Sequence, residues 1–137
     1  MPNGDSTDRQ TVRGVLLERN GDGIVMGLPG TDYRFHLKVR ESVEQALGSP
    51  LRGHIEAQAR RLDRAVAGGR YIEPVYGRPR RLQGPIVATD ETENCVTVRC
   101  ACPVRCRLGS GQKTTDFHVG DFVTFDIEPD ALFVPAS

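Results

Sequence analysis

The chain has 137 residues, of which 38% are hydrophobic and only 6% aromatic, with no tryptophan and 18 basic against 18 acidic groups. That size suits one domain or two very small ones, with a core built mainly from Val, Leu, Ile and Ala, and the 15 glycines and 9 prolines favour short strands and turns over long helices. No apolar run approaches the ~20 residues of a membrane span, and the opening "MPNGDSTDRQTVR" lacks a hydrophobic signal region, so the expectation is a cytoplasmic protein with no membrane partner.

Residues 1–10 read as a disordered tail. "TVRGVLLERNGDGIVMGL" then gives a strand, a polar turn on Asn20-Gly21-Asp22-Gly23 and a second strand, which is a hairpin pattern. "NGDG" resembles part of a calcium loop but lacks the later Glu, so it reads as a turn. "DYRFHLKV" alternates cleanly, with Tyr33, Phe35, Leu37 and Val39 inward and Arg34, His36 and Lys38 outward. In "RESVEQALGSP", Ser42 stands three residues before Gln45, and Gly48 and Pro50 close the segment, predicting one short capped helix. "LRGHIEAQARRLDRAVAGGRYIEPV" suits either a helix over Glu56 to Ala67 or two strands about a turn near Leu62 to Gly69; the alternation of Ile55, Ala57 and Ala59 favours strands.

All four cysteines fall in "CVTVRCACPVRC", spaced C-x4-C, C-x-C and C-x3-C, with no C-x2-C knuckle. Read as one strand, the even positions Val96, Val98, Cys100, Cys102, Val104, Cys106 and Leu108 are apolar, and the odd ones include Arg99, Arg105 and Arg107. Three cysteines therefore read as small core hydrophobes, and Cys95, of opposite parity, as the more exposed thiol. Same-face neighbours about 7 Å apart on a strand neither bridge nor share a zinc unaided, so no metal or other cofactor is expected. Pro103 is a candidate bulge that would reset the face.

The second half follows the first in order. "LQGPIVATDETENCVTVRC" matches "VRGVLLERNGDGIVMGL", with Gly84 on Gly14, and "VGDFVTFDIEP" matches "LGSPLRGHIEA", with Gly120 on Gly48, Val123 on Leu51 and Ile127 on Ile55. The closing "LFVP" falls where "IEPV" closes the first unit, and "GSGQKTTDFH" replaces the capped helix. This plan of a three-strand meander, a connecting helix or turn and a closing hairpin resembles the oligonucleotide/oligosaccharide-binding (OB) fold in tandem. "HVGDFVTFDI" is similar to the fourth-strand entry of cold-shock and initiation-factor type barrels. The resemblance implies an all-β protein of two tandem five-stranded OB-like barrels, at residues 11–76 and 84–137, with an Arg/Pro linker at 77–83 and a short helix between the third and fourth strands of the first. It is architectural: no cold-shock aromatic box is present, so no ligand contacts carry over.

Charge is unevenly spread. Residues 1–50 hold six basic and seven acidic groups, residues 51–85 eight and three, and residues 86–137 four and eight, giving −1, +5 and −4. The basic middle contains Arg52, Arg60, Arg61, Arg64, Arg70, Arg78, Arg80 and Arg81, and guanidinium forks pair well with phosphate. Tyr71 and Tyr76 flank the linker as base-stacking candidates. The expected nucleic-acid-binding residues are thus Arg60, Arg61, Arg64, Arg70, Tyr71, Tyr76, Arg78, Arg80 and Arg81. The competing reading pairs these arginines with acids such as Asp90, Glu91 and Glu93 of the second half. His36 reads as a surface residue, and His54 and His118 have no carboxylate or thiol at triad or metal spacing; with no phosphate loop or nucleophile elbow either, a non-enzymatic module is expected. Its ligand is expected to be single-stranded RNA or DNA, the alternative being a protein-interaction scaffold of two rigidly packed barrels.

Overall fold

The computed structural model describes residues 10–66 and 68–136; the expected tail at 1–10 therefore lies, apart from Gln10, outside the described residues. Twelve strands occur, and no α-helix is present among the described residues. The first three, β1 (Val12–Asn20), β2 (Gly23–Gly27) and β3 (Arg34–Lys38), form the expected antiparallel meander. A bulge between Leu16 and Glu18 lets β1 bend, so its first half also pairs with β4 (Pro50–Gln58). The ring is closed by the C-terminal strand β12 (Leu132–Pro135), which runs parallel to β3 at Leu132↔Lys38 and antiparallel to β4 over Leu132↔Glu56 to Pro135↔Gly53. The result is a closed five-strand barrel, compatible with an OB-like fold.

That closure corrects the expected strand assignment. "YIE" does form a strand, β6 (Tyr71–Glu73), but it pairs with β8 (Arg81–Asp90) and not with the first barrel. The barrel takes its fifth strand from the other end of the chain. The remaining strands extend the sheet: β8 pairs with β9 (Cys95–Arg99), and β9 with β10 (Pro103–Arg107). β10 then runs parallel to the end of β4, Arg105↔Glu56 to Arg107↔Gln58. Past β4 the chain stays extended: Ala59 bridges Ile127, and β5 (Asp63–Arg64) pairs with β11 (Phe122–Asp126), which returns to β8. Residues 56–64 thus lie between β10 and β11, and β4 serves both circuits of pairing.

Residues 56–66 form no helix, but only Glu56–Gln58 and Asp63–Arg64 are strand, and β5 lies where the turn near Leu62 to Gly69 is expected; one side chain helps fix the link between them. Leu62 is buried, yet no neighbouring strand supplies its main-chain partners. The amide of Gln112 takes both, accepting from Leu62 N–H and donating to Leu62 C=O, each at 2.9 Å.

No helix forms in "RESVEQALGSP". Its apolar residues give no helical face to bury: Val43 is 4% exposed, whereas Leu47 is 59% exposed. A segment this short depends on tertiary packing to repay helix nucleation. Its carbonyls are also engaged, since the guanidinium of Arg19 donates to Val43 C=O at 3.2 Å and Gln45 C=O at 2.5 Å. In the second half a single 3-10 turn (Thr114–Asp116) stands in the corresponding place.

One core runs through both circuits, with Phe35, Phe125 and Phe133 fully buried among Leu16, Leu51, Leu82 and Ile86. Each such side chain contributes about 2–3 kcal/mol by leaving water. Close backbone approach demands glycine at Gly84, where a Cβ would lie 2.2 Å from the Arg99 carbonyl oxygen. The cysteines do not lie on one strand: β9 and β10 form a hairpin that turns at Cys100–Cys102, with Cys106 opposite Val96 and Cys95 opposite Arg107. All four are free and buried, Cys95 included, which corrects the expectation that it is the exposed thiol.

Candidate nucleic-acid interface

Alternation on β3 turns Phe35 and Leu37 into the core and leaves Arg34, His36 and Lys38 on the outer face of the closed barrel. The loop between β6 and β8 folds back on this face. Its short strand β7 (Tyr76–Gly77) runs parallel to the start of β3, Arg34↔Tyr76 and Phe35↔Gly77, and Arg34 N–H donates to Val75 C=O at 2.8 Å.

This pairing places the ring of Tyr76 beside His36, with centroids 5.4 Å apart at 50°, and 5.7 Å from the guanidinium carbon of Arg34. Tyr76 is nonetheless 54% exposed, so a π surface supported from one side faces solvent. Such a surface stacks a base of any sequence, and a neighbouring guanidinium adds cation–π attraction. Among the described residues, Nε2 of His36 is a buried side-chain polar atom with no hydrogen-bond partner. Leaving it unsatisfied costs about 1–3 kcal/mol.

The other sequence-derived candidates divide by their partners. Tyr71 is half-buried and donates its hydroxyl hydrogen to Gln83 Oε1 at 3.2 Å. Arg60 pairs with Glu128 at 2.9 Å, Arg61 with Asp63 at 3.3 Å and Arg81 with Asp126 at 2.9 Å. Arg64 donates to Asp116 C=O and Asp121, and its guanidinium sits 5.1 Å from the centroid of Phe117. Hydrogen bonding to Asp126 and then Tyr71 holds the Arg81 guanidinium above its ordinary value. Arg70, Arg78 and Arg80 are exposed and have no acidic partner among the described residues.

Two of the acids named as partners for the basic middle hold other arginines. Asp90 pairs with Arg105 at 2.9 Å and Glu93 with Arg107 at 3.7 Å, within the second circuit. The hydrogen bond from Arg105 holds the Asp90 carboxyl below the usual carboxylate range. Strand parity alone puts Arg34, His36 and Lys38 on one outer face, but it cannot show that Tyr76 joins them, because only a long-range strand pairing brings it there. Parity likewise gives Arg105 and Arg107 a solvated strand face, whereas parallel pairing sets Arg105 against Glu56 of the first barrel.

All four thiols are enclosed by their neighbours. Burial pushes Cys100 up to about 12 and also raises Cys102 and Cys106; Cys95 rises by burial against the opposing pull of Arg105 and Arg107. Burial thus favours the neutral thiol at these positions. Among the described residues no three His, Cys, Asp or Glu side chains come together as a metal set, and no helix is long and apolar enough to cross a membrane. Comparison with protein-family models, curated proteins and solved structures finds no match to this chain.

Proposed function

We propose that this chain is a non-enzymatic module that binds single-stranded nucleic acid on the outer face of β3. The observation that carries this reading is Tyr76, 54% exposed yet backed by His36 and Arg34. In OB-type barrels the face of the second and third strands is where oligonucleotides lie. A base stacks on Tyr76, and Arg34, Lys38 and Arg78 attract phosphates. Of the remaining candidates, Arg70 and Arg80 retain a role as outlying phosphate contacts, while Arg60, Arg61, Arg64 and Arg81 are spent on acids. We further read the two circuits of pairing as two OB-like barrels that exchange fifth strands, residues 56–64 serving one and β12 the other.

The scaffold alternative draws support from Arg60–Glu128 and Arg64–Asp121, which tie the two halves together. Fluorescence anisotropy of labelled single-stranded 12-mers, RNA and DNA, separates the two readings. Binding at low salt that weakens with a slope of about −2 to −3.5 in log K against log salt fits three to five phosphate contacts. Tyr76→Ala is expected to cut affinity about tenfold. No binding at low salt, or binding indifferent to Tyr76, overturns the nucleic-acid reading.

A further inference from the structure

Where β3, β12, β4 and β10 lie side by side, a cleft of about 330 Å³ opens between the two circuits, lined by Lys38, Arg40, Glu56, Arg105, Arg107 and Asp130. The register explains the grouping. Leu132 is paired with Lys38 on one side and Glu56 on the other, and Glu56 is paired in turn with Arg105. These four residues form one row across four strands, about 14 Å from Lys38 to Arg105 at ordinary strand spacing.

Both signs of charge face this space, but they are not equivalent. Arg105 and Arg107 already hold Asp90 and Glu93. Among the described residues Lys38, Arg40, Glu56 and Asp130 have no ion-pair partner. A bare anion would meet Glu56 and Asp130, and a bare cation would meet four basic groups. The complementary ligand carries an anionic group at one end and hydrogen-bond donors at the other. A nucleotide with an exocyclic amino group has this form, since carboxylates accept from cytosine N4 and cations take phosphate.

We propose that this cleft is a nucleotide pocket: Lys38 and Arg40 hold the phosphate, and Glu56 accepts from the amino group of a cytosine or adenine. The inference rests on the nucleic-acid reading, because Lys38 is both the rim of the pocket and the end of the face that carries Tyr76. Arg34 to Lys38 spans about 13 Å, room for roughly two nucleotides of an extended strand between the stacking ring and the pocket. The pocket therefore gives the bound strand a base preference that the platform alone lacks.

The test uses the full chain with three RNA probes, labelled C6, A6 and U6, followed by anisotropy, and with cytidine and uridine monophosphate followed by amide chemical-shift titration. C6 and A6 are expected to bind about tenfold more tightly than U6. Glu56→Gln, which replaces an acceptor-only group by an amide, is expected to erase that preference, and Lys38→Ala with Arg40→Ala to weaken all three RNAs. Cytidine monophosphate is expected to shift the amides of residues 38–40 and 105–107. All three oligomers binding equally, with affinity unmoved by Arg40 and Glu56 but cut about tenfold in Tyr76→Ala, overturns the pocket and leaves the proposed function intact. Cytidine monophosphate binding without oligomer binding supports the pocket and overturns the strand reading; no binding of either probe overturns both.

Discussion

Gln112 holds Leu62 by both of that residue's main-chain polar groups, Oε1 accepting from the N–H and Nε2 donating to the C=O at 2.9 Å each. A side-chain amide here replaces a missing strand, on a segment that carries a fully buried leucine. Gln112→Ala leaves one donor and one acceptor unpaired and is expected to cost about 2 kcal/mol in denaturant unfolding. Gln112→Glu keeps the acceptor, removes the donor and brings a carboxylate against Leu62 C=O. Its destabilisation is expected to shrink at low pH, where a protonated carboxyl can donate again.

β12 ties the end of the chain into the first barrel through four pairs with β4, from Leu132↔Glu56 to Pro135↔Gly53. It also supplies Phe133, 1% exposed. Ending the chain after Glu128 is expected to abolish cooperative unfolding of the whole molecule, because β4 is also the parallel partner of β10. A peptide of residues 129–137 added in trans is expected to restore the near-UV and thermal transitions by adding a strand to the open edge. A truncated chain that keeps a sharp transition without the peptide contradicts the closure described here.

Much of this fold is legible in the sequence, for a physical reason. Strand parity is local, so the alternation in "DYRFHLKV" correctly sets Phe35 and Leu37 inward and Arg34, His36 and Lys38 outward. Gly84 likewise matches Gly14 in the aligned halves, and both prove to be places where a Cβ would collide with a neighbour. Long-range choices are not legible. "LFVP" and "YIE" are equally good strands, and nothing local says that the first closes the barrel while the second pairs with β8. The candidate site is hidden in the same way: Tyr76 stands out in the sequence for its basic neighbours, but its ring is set by pairing with β3. Helix signals at Ser42 and Gly48 are real local preferences, overridden once Arg19 takes the carbonyls of Val43 and Gln45.

Asp90 and Arg105 give a pH signature. The Asp90 carboxyl is held low in the folded chain, chiefly by the Arg105 hydrogen bond and then by the Glu93 backbone N–H. A depressed folded value means that its stabilisation is complete above the ordinary carboxylate value of about 4 and disappears as pH falls through the folded value. With both side chains about one-third exposed, the contribution is at most about 1 kcal/mol. Asp90→Asn is therefore expected to be slightly less stable than the parent at pH 7 and indistinguishable from it at strongly acidic pH. A constant gap down to about pH 2 by chemical denaturation would show that the pair contributes nothing through titration.

The arginines of the basic middle should separate into two groups by experiment. Arg60 and Arg64 cross between the halves of the chain to Glu128 and Asp121, and Arg81 pairs with Asp126 while also donating to the Thr124 hydroxyl. Replacing these three one at a time by Met, which keeps the stem but not the charge, is expected to lower stability by about 0.5–1 kcal/mol each and to change oligonucleotide affinity little. Arg70, Arg78 and Arg80 lack such partners, and their replacement is expected to leave stability within about 0.5 kcal/mol of the parent. Their signature is instead in the salt titration of binding. Removing one phosphate-binding side chain should flatten the slope of log K against log salt by about 0.7. Arg78, two residues from Tyr76 along the chain, is expected to matter most. If Arg60→Met flattens that slope and Arg78→Met does not, the ligand runs over the other face of the molecule, toward the cleft lined by Arg60, Arg80 and Arg81.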